Sequence, residues 1–308
     1  MNAYCVSMNF SEEARAVIKN SGIHLDINET KNKPNKDELI SLIKKYDILI
    51  IGVSSKLTSD MSKHIKKSKI IATLSVGLDH IDKTFFDSPL IKVINIKEAN
   101  AVSVAEHIIG LILSLNKRMF ESNQLVLKGN GSRNNISERP EDISSKTLGL
   151  IGAGNITKEL IKIAQVFNMT IKCFTKEPNN HKDMIKYGVE FLPLDEVLKQ
   201  SDIINISIPL NDETKFIISK EKIELLKPTA TFINTARAEV VDINALIDYA
   251  DKYSTFYVGL DIDLDNYKEL FMVYRNNVIV TPHIAGISKQ AIERMDMEIA
   301  HSIVGLLK

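Results

Sequence analysis

The sequence predicts an α/β protein built on parallel β-sheets, and three observations predict this fold class. Short runs of β-branched and apolar residues alternate with amphipathic helical patterns along the chain. Several runs, such as "DILIIGV" and "KIIATLSVG", lack polar alternation, as expected of strands that are covered on both faces. The chain has 308 residues, and single domains usually contain about 100 to 200 residues, so we expect two domains.

The first hundred residues supply the first set of elements. Strands are predicted at "AYCVSM", "DILIIGV" and "KIIATLSVG", and helices at "SEEARAVIKNSG", "DELISLIKKY" and "SDMSKHIKKS". The first of these helices has Ser11 as a candidate N-cap, acidic residues in its first turn, and Gly22 as a C-terminal stop. This alternation is typical of βαβ units on a parallel sheet.

The rest of the chain continues the alternation. A long apolar helical pattern over residues 101–119 precedes a polar stretch rich in Gly, Asn and Ser, which we interpret as a loop. The segment "KTLGLIGAGNITKELIKIAQVFNMTIKCFTKEP" then contains a strand, a tight glycine turn, an amphipathic helix and a second strand. Further strands are predicted at "DIINISIP", "ATFINTA", "FYVGLDI" and "NVIVTPH", and a final helix from about Ser288 to Leu307.

Charge and cysteine content limit the partners. Lysine plus arginine and aspartate plus glutamate both number 39, so no long-range field attracts nucleic acid or an anionic membrane, and a small-molecule partner is expected. Cys5 and Cys173 lie in apolar runs, which favours buried reduced thiols over a disulfide or metal ligands. No basic leader or run of about 18 apolar residues is present. We therefore expect a cytoplasmic protein.

The stretch "IGAGNIT", residues 151–157, resembles the beginning of a dinucleotide-binding loop. Gly152 would permit a tight turn between strand and helix, and Gly154 would let the backbone approach a pyrophosphate. The N–H groups of Asn155 and Ile156 at the start of the helix would bind the anion. Taken alone, the motif does not distinguish a nucleotide site from an ordinary glycine turn, but it has the required context of strand and helix.

Two positions near this loop depart from the NAD-binding pattern. Thr157 replaces the third glycine, which serves close packing of helix on strand, and should displace the helix slightly without removing the N–H groups. Thr175 and Lys176 follow the second strand, where an acid would bind the ribose 2′-hydroxyl of NAD. A hydroxyl and an ammonium favour a 2′-phosphate, so the pattern favours NADP over NAD, unless Lys176 is only a solvated loop residue.

Five further motifs make the interpretation specific. They are "SVGLDHID" (75–82), "ANAVSVAEH" (99–107), "SIPLNDETK" (207–215), "INTARAEVVD" (233–242) and "TPHIAG" (281–286). In this order and spacing, with the glycine loop among them, the chain resembles the D-isomer-specific 2-hydroxyacid dehydrogenase family over its whole length. That family includes phosphoglycerate dehydrogenases, glyoxylate/hydroxypyruvate reductases and D-lactate dehydrogenases.

The resemblance implies two Rossmann-like, doubly wound parallel-sheet domains, with the cofactor domain inserted into the substrate domain. Residues 1–98 and 285–308 would form the substrate domain, and residues 99–284 the dinucleotide-binding domain. It also implies a homodimer with contacts made largely by the cofactor domain. Because the chain ends at the last helix of the family pattern, we expect no C-terminal regulatory domain.

The family's functional positions can be carried over onto matching residues. Arg237 matches the arginine that binds the substrate carboxylate and polarises the carbonyl, a role that suits a planar guanidinium. His283 matches the acid/base, since imidazole exchanges a proton near neutral pH. The N–H groups around Val76 and Gly77 match the loop that binds the substrate carboxylate. Ser103, Pro209 and Thr235 match positions that line the cofactor. Asp261 matches a residue near the nicotinamide carboxamide.

The sequence departs from the family around the partner of the histidine. The family has a glutamate five residues after the aspartate at position 261, and this chain has Asn266 there. We expect Asp265 to be the carboxylate partner of His283, with Asn266 and Glu269 as the alternatives. With Asn266 as the partner, His283 would lose a nearby negative charge, and its pKa would be raised less.

Two other departures concern the substrate. Arg237 is followed by Ala238 where the family has glycine, a change that could tighten the loop beside the substrate. Gly52 stands where relatives that handle phosphoglycerate tend to carry an arginine. Without that cation an unphosphorylated 2-keto acid such as glyoxylate, hydroxypyruvate or pyruvate is favoured.

The sequence is also compatible with two other functions. A weakly catalytic or non-catalytic NAD(P)-responsive binding protein would tolerate Thr157 and an uncertain carboxylate, although Arg237 and His283 argue against it. An oxidase of a one-carbon or inorganic anion, as in the formate and phosphite dehydrogenases that the family resembles, is a third possibility. Either Arg237 or His283 alone could be structural; together, after successive predicted strands, they lie where open α/β sheets bind ligands.

Overall fold

The computed structural model describes residues 1–30, 32–263 and 266–307. The chain forms two compact domains, Met1–Asn100 with Ile287–Lys308 (the first domain) and Ala101–Gly286 (the second domain). Each contains one parallel sheet with helices beside it. The predicted class, a pair of doubly wound parallel-sheet domains, is confirmed. The predicted division at 98/99 and 284/285, with a substrate or cofactor role for each part, stays a prediction.

The first domain has a five-stranded sheet in the order β2-β1-β3-β4-β5. All neighbouring strands are parallel. The elements of its amino-terminal part are β1 (Asn2–Cys5), α1 (Glu12–Asn20), β2 (His24–Ile27), α2 (Lys36–Lys45), β3 (Ile48–Ile51), α3 (Ser59–Ser62), β4 (Lys69–Thr73) and β5 (Ile91–Asn95).

The second domain has a seven-stranded parallel sheet. Its elements are α4 (Ala101–Asn116), α5 (Met119–Leu127), β6 (Thr147–Ile151), α6 (Asn155–Val166), β7 (Thr170–Phe174), β8 (Val189–Phe191), α7 (Leu194–Gln200), β9 (Ile203–Ile206), α8 (Lys220–Ile223), β10 (Thr231–Asn234), α9 (Ile243–Lys252), β11 (Tyr257–Asp261), α10 (Lys268–Phe271) and β12 (Val278–Thr281). The order is β12-β11-β10-β9-β6-β7-β8. The direction of winding reverses between β6 and β9, and open α/β sheets bind ligands at such a point.

The last helix, α11 (Lys289–Gly305), belongs to the first domain. It begins where the sequence predicts, because the Ser288 side chain accepts a hydrogen bond from the Ala291 N–H and caps the first turn. Ile299 and Ile303 of α11 are fully buried in the same core as Ala3 and Cys5 of β1. The helix therefore completes a core that the first hundred residues begin.

Two apolar cores cover the faces of the second sheet. One contains residues of α4 and α6, and the other contains residues of α7 and α9. This burial on both faces explains why the strands read as continuous apolar runs. Within the described ranges, every helix is too short or too polar to cross a membrane.

Candidate active site

The glycine turn follows β6 directly, and its first glycine is required by geometry. Gly152 has a φ of 106°, which disfavours any residue with a Cβ. A Cβ at this position would lie 2.4 Å from the carbonyl oxygen of Ser207. The close approach of the turn to the end of β9 therefore depends on glycine.

The second glycine serves a different purpose. Gly154 is the N-cap of α6, with a φ of −77°, and a Cβ there would meet nothing within 4 Å. Because glycine has no side chain, the N-cap residue makes no side-chain capping hydrogen bond to α6. Asn155 is exposed at the first position of the helix, whereas Ile156 packs against the core. The turn thus has space beside Gly154 at a helix N-terminus, the kind of position that binds anions.

Thr157 is fully buried, and its hydroxyl has a defined partner. Its Oγ1 donates a hydrogen bond to the carbonyl oxygen of Gly152 at 2.8 Å. The thiol of Cys173 lies 3.7 Å from the same oxygen. The residue that replaces the third glycine therefore ties α6 to the turn.

The candidate catalytic residues follow the carboxyl ends of neighbouring strands in the same sheet. Arg237 follows β10 and His283 follows β12, and β11 lies between these two strands. The glycine turn follows β6, and Pro209 follows β9. Because the carboxyl ends of parallel strands share one edge of a sheet, these positions all lie at one edge of the second domain.

The turn after β10 is fixed by a buried amide. Asn234 accepts a hydrogen bond from the Ala236 N–H at 2.9 Å and donates one to the Arg237 carbonyl oxygen at 2.8 Å. The half-buried guanidinium of Arg237 donates to the Ala236 carbonyl oxygen at 2.9 Å. Thr235, only 8% exposed, has a buried hydroxyl with no hydrogen-bond partner among the described residues. A buried hydroxyl without a partner at this edge fits a bound ligand.

His283 occupies a strained position in the turn after β12. Its φ is 55°, in the left-handed region that few residues other than glycine adopt. The His283 N–H donates to the Thr281 carbonyl oxygen at 3.0 Å, and its side chain is half-buried. Such a conformation persists only where the surrounding contacts fix it.

Asp261, fully buried at the end of β11, provides those contacts. Its Oδ1 accepts hydrogen bonds from the Thr281 hydroxyl at 2.6 Å and the Ile284 N–H at 2.8 Å, and its Oδ2 accepts one from the Ala285 N–H at 2.7 Å. Ser103 of α4 donates to the Ala285 carbonyl oxygen at 2.7 Å. The sequence indicated a cofactor contact for Asp261 and Ser103, and that contact stays a prediction. Their role in holding the histidine turn was missed, since the motifs carry no signal for it.

The predicted carboxylate-binding loop lies after β4 in the first domain. Ser75 donates to the Gly77 carbonyl oxygen at 2.6 Å, and Asn95 donates to the Val76 carbonyl oxygen at 2.9 Å. The hydroxyl oxygen of Thr73 lies 3.1 Å from the hydroxyl oxygen of Ser75 and 2.8 Å from the Nε2 atom of His80. These bonds fix the carbonyl groups of the loop.

The predicted ribose-binding residues follow β7. Thr175 is half-buried and Lys176 is exposed. The ammonium of Lys176 lies 2.5 Å from the carboxylate of Glu213 and lowers the pKa of that carboxyl group. The lysine is therefore paired with an acid on the segment that follows β9.

The three candidate partners of His283 follow β11 in the chain. Asp265 lies outside the described residues. Asn266 is exposed in a turn, and Glu269 is exposed in α10. The identity of the partner stays a prediction.

A glycine turn that opens a helix at the reversal point of a doubly wound sheet defines the class of nucleotide-binding α/β proteins. The family described as "D-isomer specific 2-hydroxyacid dehydrogenase, NAD binding domain" matches residues 109–285. The hydroxypyruvate reductase of Thermotoga maritima is 31% identical over 310 residues, which cover 98% of each chain. The chain belongs to the D-isomer specific 2-hydroxyacid dehydrogenase family.

Solved structures agree with this assignment. The D-lactate dehydrogenase of Aquifex aeolicus, complexed with NAD and lactic acid, is 30% identical and superposes with a TM-score of 0.85, covering 100% of this chain and 95% of that one. The acyclic imino acid reductase Bsp5, in complex with NADPH and D-Arg, is 28% identical with a TM-score of 0.90, covering 100% and 97%. The predictions of the family, and of hydride transfer between a nicotinamide cofactor and a 2-keto or 2-hydroxy acid, are confirmed.

Proposed function

We propose that the protein reduces a small unphosphorylated 2-keto acid, such as glyoxylate, hydroxypyruvate or pyruvate, to the D-2-hydroxy acid. The observation that carries this proposal is the position of Arg237 and His283 at the sheet edge that also holds the glycine turn. The names of the similar enzymes, a hydroxypyruvate reductase and a D-lactate dehydrogenase, support the same substrate class. Gly52, directly after β3, brings no cation for a substrate phosphate.

Different residues of the chain would serve different steps of the keto-acid reduction. When bound, the nicotinamide supplies the hydride for the carbonyl carbon. Arg237 would hold the substrate carboxylate and polarise the carbonyl group with its planar guanidinium. His283 would donate the proton that the carbonyl oxygen takes up, so reduction should slow as rising pH removes that proton. The N–H groups of Val76 and Gly77 would bind the carboxylate.

The fit of the second domain to a dinucleotide supports the cofactor part of the proposal. The space beside Gly154 at the start of α6 suits a pyrophosphate, and the buried hydroxyl of Thr235 suits a polar group of the ligand. The proposed cofactor-binding set also includes Gly152, Asn155, Ile156, Pro209, Asp261 and Ser103. Thr175 and Lys176 slightly favour NADP over NAD, although Glu213 offsets part of the lysine charge.

A homodimer and a cytoplasmic location belong to the same proposal. The dimer is supported by an exposed apolar patch in the second domain, which we call the α5 patch. Its residues are Met119, Phe120, Val126, Leu127, Met272, Val273 and Tyr274. The rings of Phe120 and Tyr274 lie 6.4 Å apart, which joins α5 to the 272–274 segment. Apolar patches of this kind mark protein interfaces. The buried thiols of Cys5 and Cys173 suit a reducing compartment.

One assay tests the reaction. Purified protein is mixed with NADPH or NADH and a panel of 2-keto acids, and with NAD(P)⁺ and formate or phosphite, and the nicotinamide absorbance is followed. We expect keto-acid turnover, and His283→Gln should lower kcat by roughly 10²- to 10⁴-fold while cofactor binding survives. Tight cofactor binding without turnover of any substrate would favour a binding protein. Turnover of formate or phosphite alone would favour an anion oxidase.

A further inference from the structure

Two side chains of α4 contact the turn that carries His283. Ser103 and His107 are one helical turn apart, so they lie on the same face of α4. Ser103 donates to the carbonyl oxygen of Ala285, at the end of the turn. The Nε2 atom of His107 lies 3.0 Å from the hydroxyl oxygen of Thr281, at its beginning. The helix therefore holds both ends of the segment around His283.

The direction of the bond between His107 and Thr281 follows from the number of protons available. A threonine hydroxyl has one proton to donate. The Thr281 hydroxyl directs it towards acceptors only, the Asp261 carboxylate at 2.6 Å and the Leu260 carbonyl oxygen at 3.3 Å. The oxygen of Thr281 must then accept from His107, so the Nε2 atom of His107 carries a hydrogen. The donor order runs from His107 through Thr281 to Asp261.

Asp261 connects the bond between His107 and Thr281 to the backbone that follows His283. The same carboxylate accepts from the N–H groups of Ile284 and Ala285, the two residues that follow the histidine. His283 is thus enclosed between Thr281 and Ile284, both of which are bonded to Asp261. These contacts account for the persistence of its left-handed backbone conformation.

We propose that His107 is a positioning residue that orients His283 through Thr281 and Asp261. This inference rests on the proposed function, in which His283 donates the proton. The imidazole of His107 fixes the Thr281 hydroxyl, which in turn fixes the carboxylate that holds the turn. Loss of this donor lets the turn relax, and His283 then delivers the proton from a less favourable position.

The test compares His107→Leu with His107→Gln. Leucine removes the donor, whereas the glutamine amide can place an N–H close to the position of Nε2. We expect His107→Leu to lower kcat roughly fivefold to tenfold, as for the loss of one hydrogen bond. His107→Gln should restore most of the rate. His301→Leu, at an exposed histidine of α11, is the matched control and should leave kcat unchanged.

A second readout does not depend on turnover. The ring resonances of His283, assigned with the His283→Gln variant, should shift in His107→Leu and return towards wild type in His107→Gln. Equal kcat in wild type and His107→Leu, or a leucine defect that glutamine does not relieve, would overturn the inference. A wild-type protein that turns over no keto acid contradicts the proposed function instead, and the ring resonances then decide whether the network orients His283.

Discussion

Thr157 illustrates, at the scale of one residue, how a departure from a motif is accommodated. The dinucleotide-binding pattern has glycine at this position, which allows close packing of helix on strand. A β-branched residue there suggests poorer packing than glycine would give. In the structure the threonine is fully buried, and its hydroxyl donates to Gly152 within the turn. The hydrogen bond offsets the burial of a polar group. The hydrogen bond to Gly152 depends on the direction in which the Thr157 side chain points. The sequence alone does not specify that direction.

The two glycines of the turn should respond differently to the same substitution. Gly152→Ser places a Cβ against the Ser207 carbonyl oxygen at a positive φ, so we expect the free energy of unfolding to fall by more than about 2 kcal/mol. Gly154→Ser adds a side chain in open space at an N-cap, which favours serine, so stability should be kept. Its hydroxyl would occupy an N–H group that a phosphate needs, and NADPH affinity should fall roughly tenfold.

Urea unfolding and a fluorescence titration with NADPH measure the two quantities. The interpretation of the turn fails if Gly154→Ser binds NADPH like the wild type, or if Gly152→Ser is as stable as Gly154→Ser.

We also expect cofactor preference to depend on single residues. Glu213→Gln removes the carboxylate that pairs with Lys176, and we expect the ratio of kcat/KM for NADPH to that for NADH to rise about twofold to fivefold. Lys176→Asp should shift the ratio towards NADH by roughly tenfold. Lys162→Asp is the matched control, because this exposed lysine also pairs with a glutamate but lies on α6. An unchanged ratio in both test variants would show that other residues contact the ribose.

At the scale of elements, the contact between α1 and α11 should depend on pH. The Ser11 N–H donates to the Asp296 carboxylate at 2.8 Å, and Asp296 is 2% exposed. Burial raises the pKa of Asp296 to about 6, above its ordinary value of 3.8. The folded protein therefore binds this proton more tightly than the unfolded chain. Its contribution to stability is complete below pH 3.8 and is lost as the pH rises through 6.

Asp296→Asn keeps an oxygen for Ser11 and removes the charge. Relative to wild type, we expect this variant to gain up to about 3 kcal/mol of unfolding free energy between pH 4 and pH 7.5. Urea unfolding at several pH values measures the difference, and Asp87→Asn, at an exposed aspartate of the same domain, is the control. A difference that stays constant with pH would contradict the role given to Asp296.

Element boundaries were more predictable than the contacts between elements. Ser11 was predicted as an N-cap and Ser288 as the approximate start of the last helix, and both side chains accept a capping hydrogen bond. The bond between His107 and Thr281 joins residues 174 positions apart. No local pattern predicts it, because the partner of a helix face depends on the order in which the strands pair. The assignment of Asp265 lies outside the described residues and stays a prediction.

At the scale of the whole molecule, the α5 patch predicts the state of assembly. Leu127 is 73% exposed and Met272 is 83% exposed, and such residues are costly to leave in water over a contiguous surface. We expect light scattering to give a mass of twice the 34.6 kDa chain. Leu127→Glu combined with Met272→Glu should give the monomer, because two buried charges would lack partners. Val166→Glu, an exposed apolar position on α6 outside the patch, should leave the mass unchanged.

The return of α11 to the first domain has a consequence for biosynthesis. A ribosome releases residues 1–100 long before residues 287–308, yet Met295, Ile299 and Ile303 fill the core around β1. The second domain, continuous in the chain, can fold as soon as it emerges. The amino-terminal segment must keep an open apolar face until residues 287–308 have also emerged. Apolar surface that is exposed during such an interval is prone to aggregation.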